Sequence, residues 1–174
     1  VAGRLAGQEP QIPLTYKKLR VGTEVHQLNK TERVNALDGG VLHVKKHRVL
    51  GWVVNQGINS LQRNNYMINS DGTSPEISIE RIKAQLSREI AQNAEIEFIG
   101  GNLYTASAKV IEEFVKSYLA SKLVVIGRND GLIVWFGNVK AIRTGTTWNI
   151  TYDFQANSPI NKVFSTGTII DGKV

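Results

Sequence analysis

Apolar residues recur along this chain with two periods. Between Ile77 and Ala94, Ile79, Ile82, Leu86 and Ile90 fall three to four residues apart, and Glu80, Arg81, Lys83, Arg88 and Glu89 occupy positions between them. At 3.6 residues per turn this spacing gathers the apolar side chains into one helical stripe. A second helix is expected from about Thr105 to Leu123. Val110, Ile111, Phe114, Val115, Tyr118 and Leu119 form its apolar side, and Thr105 or Ser107 is its N-cap. The other period is two. In "TTWNITYDF", Trp148, Ile150, Tyr152 and Phe154 alternate with Asn149, Thr151 and Asp153, as on a strand with one buried face. The preceding "LIVWFGNVKAIR" pairs with it as a hairpin, and a last strand closes the chain.

The first half carries weaker signals. "VAGRLAGQE" predicts a short helix with a small face, ended by Pro10 and Pro13. "LTYKKLRVG" reads as extended chain or loop. "NKTERVNALDGG" reads as a short helix with Thr31 or Asn29 as cap and Gly39-Gly40 as its end. "VLHVKK" and "RVLGWVV" flank a basic turn and predict a hairpin, "YMIN" a further short strand, and "EIEFIGGN" a strand ending in glycines. The order of elements is mixed. It implies an α+β fold in which one mixed β-sheet carries two main helices. Ile79, Ile82, Leu86, Ile90, Ile111, Phe114, Tyr118, Trp148, Ile150 and Phe154 are its expected core.

Composition adds bounds. The 174 residues can bury a real core, and 41% hydrophobic with 21% charged residues is ordinary for a globular chain. No apolar run reaches the ~18 residues of a membrane helix, and no signal-peptide pattern opens the chain. Cysteine is absent, which removes disulfides and thiolate chemistry and fits a reducing cytoplasm. The chain opens on Val1 and its single methionine is Met67, so upstream sequence is expected. The formal charge of +6 suits an anionic partner, nucleic acid or simple solubility.

Candidate chemistry is sparse. His43 and His47 have the i, i+4 spacing of zinc-binding histidines, but on strand-turn-strand they do not converge as they do on a helix. Gly100-Gly101 and Gly127 lack the Lys-Ser/Thr of a phosphate loop. Adjacent Glu112 and Glu113 diverge on a helix and read as a solvated face. Ser107, Ser117 and Ser121 lack a nucleophile elbow. The basic runs "YKKLR" and "HVKKHR" carry no interleaved aromatic platform for single-stranded nucleic acid. The expectation is a protein with no catalytic site, no cofactor, no metal, and neither nucleic acid nor membrane as partner.

Several segments, in order, resemble the C-terminal core of contractile tail sheath proteins. "VAGRLAGQEPQIPLTYKKL" is similar to that family's "VAG-x-x-AG…T-y-k" segment through Val1, Ala2, Gly3, Ala6, Gly7, Leu14, Thr15 and Tyr16. "NKTERVNALDGGVLHV" resembles its helix and strand, and "VVNQGINSL" its "G-I-N-T" element with Ser60 in place of Thr. "SIERIKAQLSREIAQNAEIEFIGGN" resembles its first core helix. The resemblance spans nearly all of the chain, although sheath proteins are normally much longer. It implies an N-terminal segment over 1–28, a core over 29–165 and a C-terminal arm over 166–174. In this picture, terminal arms lend strands to neighbouring subunits, with Thr166, Thr168, Ile169 and Ile170 in the lent strand. The partners implied are other sheath subunits in a helical polymer, an inner tail tube protein and a baseplate. The location implied is a virion tail assembled in the host cytoplasm. The positive charge would seat the subunit on an acidic tube, with Arg81, Lys83 and Arg88 as contact candidates. A tail terminator, a baseplate component and a basic nucleic-acid-binding domain are the competing readings.

Overall fold

The computed structural model describes residues 2–20, 28–60, 74, 76–99, 107–125 and 131–157. In chain order its elements are α1 (Ala2–Ala6), α2 (Lys30–Asp38), β1 (Val44–His47), β2 (Gly51–Val54), α3 (Ile77–Phe98), α4 (Ala108–Ser121), β3 (Ile133–Thr144) and β4 (Thr147–Ala156). The class is α+β, as the mixed order of periods implies. The strands differ from the expected single mixed sheet: among the described residues they form two separate two-stranded antiparallel sheets, β1-β2 and β3-β4. Parallel pairing is confined there to an isolated bridge, Leu123 to Ile133.

Local chemistry explains the short elements. Asn29 caps α2 by accepting from Glu32 N at 2.9 Å, while Glu32 Oε2 accepts from Asn29 N at 2.7 Å, a reciprocal capping box. At the β1-β2 turn, His47 Nδ1 accepts from the backbone N–H groups of Val49 and Leu50, each at 3.2 Å. Chain 16–19 lies along the other edge of β2. Tyr16 N donates to Val54 O, Val54 N to Lys17 O and Leu19 N to Trp52 O.

The two long helices and the second hairpin share the main core. Ile82, Leu86 and Ile90 of α3 and Val115 and Leu119 of α4 are buried with Leu132, Ile133, Val139 and Ala156. Ile79, Phe114, Tyr118, Ile150 and Phe154 are half-buried against them. Ile111 is buried as expected, and Trp148 is half-buried near the hairpin turn, opposite Arg143. Val110, expected on the apolar side of α4, is 49% exposed.

A further departure concerns "EIEFIGGN". Its first four residues continue α3 to Phe98. Nothing breaks the helix before Gly100, and Phe98 gains an edge-on contact with Phe114 at 5.3 Å between ring centres. An apolar partner on α4 therefore outweighs the β-like alternation. Ser107 caps α4, accepting from Val110 N at 3.4 Å. "YMIN" and the closing strand lie outside the described residues.

Candidate assembly surfaces

Two of the segments quoted above, the one containing Leu14 and Thr15 and the "GIN" element, form a joint between elements. Thr15 Oγ1 accepts from Gly57 N at 3.0 Å. A Cβ on Gly57 would stand 2.9 Å from Leu14 Cβ, so a larger residue here would have to displace Leu14. Ile58 is buried and bridges to Glu76, Ile77 N donates to Gly57 O at 2.9 Å, and Asn59 Nδ2 donates to Ser74 O at 2.9 Å. Gln56 Nε2 donates to Glu76 Oε1 at 2.8 Å inside the same joint. The "GIN" element thus docks the start of α3 onto the N-terminal half.

A polar pin joins α3 to α4. Glu89 accepts from Tyr118 Oη, from Gln85 Nε2 at 2.5 Å and from Lys122 Nζ at 3.0 Å. Burial raises its pKa, but the bonds from Tyr118, Gln85 and Lys122 together with the Lys122 charge outweigh it, bringing the carboxyl from 4.5 down to about 2. Burial and the adjacent Glu89 push the Tyr118 phenol above its ordinary value. Tyr152 Oη, 3.3 Å from Ser87 Oγ, ties β4 to α3.

Several of the residues considered for catalysis make structural contacts. His47 closes the β-turn, and His43 is half-buried in the chain just before β1. Ser121 Oγ donates to Tyr118 O at 2.6 Å. Glu113 pairs with Lys116 at 2.8 Å, which lowers the carboxyl pKa and raises that of the amine. Glu112 departs from the solvated reading: its Oε1 accepts from Ala141 N at 3.0 Å and fastens α4 to β3. Gly100-Gly101 and Gly127 lie outside the described residues. Among those described, no group of three or more His, Cys, Asp or Glu is placed to hold a metal ion, and no helix is long and apolar enough to cross a membrane.

The expected tube-facing trio has mixed surroundings. Arg88 is exposed and Lys83 half-buried, while Arg81 Nη2 reaches back to Gln8 O at 2.8 Å and holds the N-terminal segment on α3. The helix also carries Glu80, Glu89, Glu95 and Glu97, so its cations stand among carboxylates. Thr166, Thr168, Ile169 and Ile170 lie outside the described residues.

Among the described residues the β3-β4 ribbon is the longest stretch of strand. Both register shifts place an extra residue on β3, one after Ile133 and one between Gly137 and Lys140. Asn138 takes a left-handed φ of 49° at the second and donates to Asp153 at 2.6 Å. Trp135 lies across Gly137, where a Cβ would meet its ring at 2.6 Å. β3 also begins under a cross-connection, Val124 N to Ile133 O at 2.8 Å. β4 runs from Thr147 to Ala156 without an inserted residue, and among the described residues no strand covers its outer edge.

Two solved structures share this fold. The anti-feeding prophage helical sheath in its contracted state matches with a TM-score of 0.64 at 14% identity, over 97% of this chain and 48% of that one. The anti-feeding prophage baseplate matches with a TM-score of 0.68 at 11% identity, over 95% of this chain and 47% of that one. The fold is therefore one found in structural components of a contractile particle, and the chain spans about half the length of the structures it matches. The sequence matches no family model and no curated protein.

Proposed function

We propose that this chain is a structural, non-enzymatic subunit of a contractile tail sheath, one that polymerises around an inner tail tube and contracts to drive the tube through a host envelope. The observation that carries this reading is a fold shared across 97% of the chain with a contracted helical sheath. The outer edge of β4, which no described strand covers, supports it. A strand edge presents unpaired N–H and C=O groups that recruit another chain. Lent to a neighbour, the segment containing Thr166, Thr168, Ile169 and Ile170 would extend such a ribbon by β-augmentation, with alternating side chains setting the register. A contact of this kind is heterologous and need not close, so its repetition builds a helical tube. Lys83 and Arg88 on α3 are the candidates for seating the subunit on the inner tube, and a baseplate and further sheath subunits complete the partners. The location that follows is a virion tail assembled in the host cytoplasm.

The second reading, a baseplate component, draws on the baseplate neighbour with its TM-score of 0.68. Electron microscopy of the full-length protein separates the two. Sheath subunits form tubes or stacked rings whose length is not fixed, whereas a baseplate component stops at a discrete ring or stays unassembled. Discrete particles under all assembly conditions would overturn the sheath reading.

A further inference from the structure

We infer that the tip of the β1-β2 hairpin, with the chain 16–20 beside it, is a docking surface for a protein partner whose own surface is rich in carboxylates. The lysines and arginines of the two basic runs lie 25 or more residues apart in sequence. The fold brings them to opposite edges of one strand. Lys18 and Lys45 both stand level with Val53, one on each side of β2, so their Cα atoms are about 10 Å apart on the same face, twice the spacing of neighbouring strands. Lys46 is level with Trp52, Arg48 sits in the turn, and Arg20 lies two residues beyond Lys18 toward the Gly51 end.

The charge is segregated as well as dense. Residues 10–20 and 39–57 contain Lys17, Lys18, Arg20, Lys45, Lys46 and Arg48 and neither Asp nor Glu. These six equal the whole formal charge of +6; the other fifteen cations are matched by the fifteen Asp and Glu. Lys18, Arg20, Lys46 and Arg48 are exposed. Between them the turn presents Val49, 83% exposed, and Leu50, 41% exposed. Cations around an apolar tip match a protein surface with a small apolar centre and a carboxylate rim, since polar rim and apolar core are the usual anatomy of such contacts. A nucleic acid offers stacking and phosphates, and the more exposed aromatic beside the patch, Tyr16, is already engaged, while Trp52 is half-buried. The Tyr16 ring carries Lys45 Nζ 4.1 Å from its centre and the His47 ring edge-on at 5.8 Å. This surface is separate from the β4 edge and does not depend on strand exchange.

The test measures binding of the full chain to poly-L-glutamate and to a 20-base-pair DNA duplex by fluorescence anisotropy across a salt series. Three proteins are compared: the native chain, K18E/K46E/R48E, and R4E/K30E/K109E, which makes the same charge change at exposed positions elsewhere. The expected result is a tenfold or greater loss of poly-L-glutamate affinity in the first variant and less than threefold in the second. Equal losses would reduce the effect to net charge and overturn the proposal. So would tighter binding to the duplex than to poly-L-glutamate, or no binding by the native chain. Circular dichroism melting checks that each variant is folded, and K18Q/K46Q/R48Q replaces the first variant if reversal disturbs the hairpin.

Discussion

Glu89 and Gly57 each hold parts of the chain that are far apart in sequence, and each makes a prediction. Glu89 has a folded pKa of about 2 against an ordinary 4.5. A depressed carboxylate stabilises the fold fully above its unfolded pKa and loses that contribution as pH falls through the folded value. Its share should therefore be intact above about pH 5 and disappear between roughly 4.5 and 2. Glu89→Gln should lower stability at pH 7 by about 1–3 kcal/mol, the worth of hydrogen bonds to a charged group. It should also flatten the fall below pH 4.5 in denaturant titrations run at a series of pH values. An unchanged acid limb would show that the pin contributes nothing. At Gly57 the added methyl of Gly57→Ala must displace Leu14. Overpacking of this kind costs about 1–3 kcal/mol, and a thermal melt should show the loss, whereas Gly3→Ala, with nothing within 4 Å of its Cβ, should leave the melt within a degree or two.

At the scale of the element, helices are decided by caps and partners together. Asn29 and Ser107 each satisfy a first-turn N–H group. Asn29→Ala should cost about 1 kcal/mol, and more than Ser107→Ala, because it removes a cap bond of 2.9 Å while the Ser107 bond is long at 3.4 Å. Urea titration of the two variants gives the comparison. Equal costs would mean that the shorter Asn29 bond contributes no more than the long Ser107 bond. The end of α3 shows the limit of pattern alone. "EIEF" alternates as a strand does, yet the chain already carries a helix into it and Phe114 of α4 receives Phe98. The period of two was legible; the aromatic partner that overrode it was not, because it stands sixteen residues away on another helix.

For the whole molecule the question is what the last residues do. The buried apolar residues named for the core lie between Ile82 and Ala156. If residues 166–174 are lent to a neighbour, deleting them should leave a folded subunit whose melting temperature falls by no more than about 2 °C, since little of the core is touched. The same deletion should abolish tube formation in negative-stain images. Loss of folding would assign the segment to the subunit's own sheet, and normal tubes would assign the lattice contacts to other segments.

The sequence by itself determined the two amphipathic helices, both hairpins and most of the core stripe, and it narrowed the caps of α2 and α4 to two candidates each, from which the structure takes Asn29 and Ser107. These are local: a period of 3.6 or 2, a cap or a turn residue reports on its own neighbourhood. The order of weak segments was also enough to point to a sheath-like core. Tertiary structure alone decided the rest, because each of these features depends on what meets what across the chain. It separated the described strands into two sheets, extended α3 over an expected strand, turned Glu112 from a solvated carboxylate into an acceptor for Ala141 N, and tied Arg81 to Gln8. It also laid two distant basic runs along opposite edges of β2, a neighbourhood that no spacing in the sequence records, since long-range pairing is set by burial and backbone hydrogen bonding across the fold.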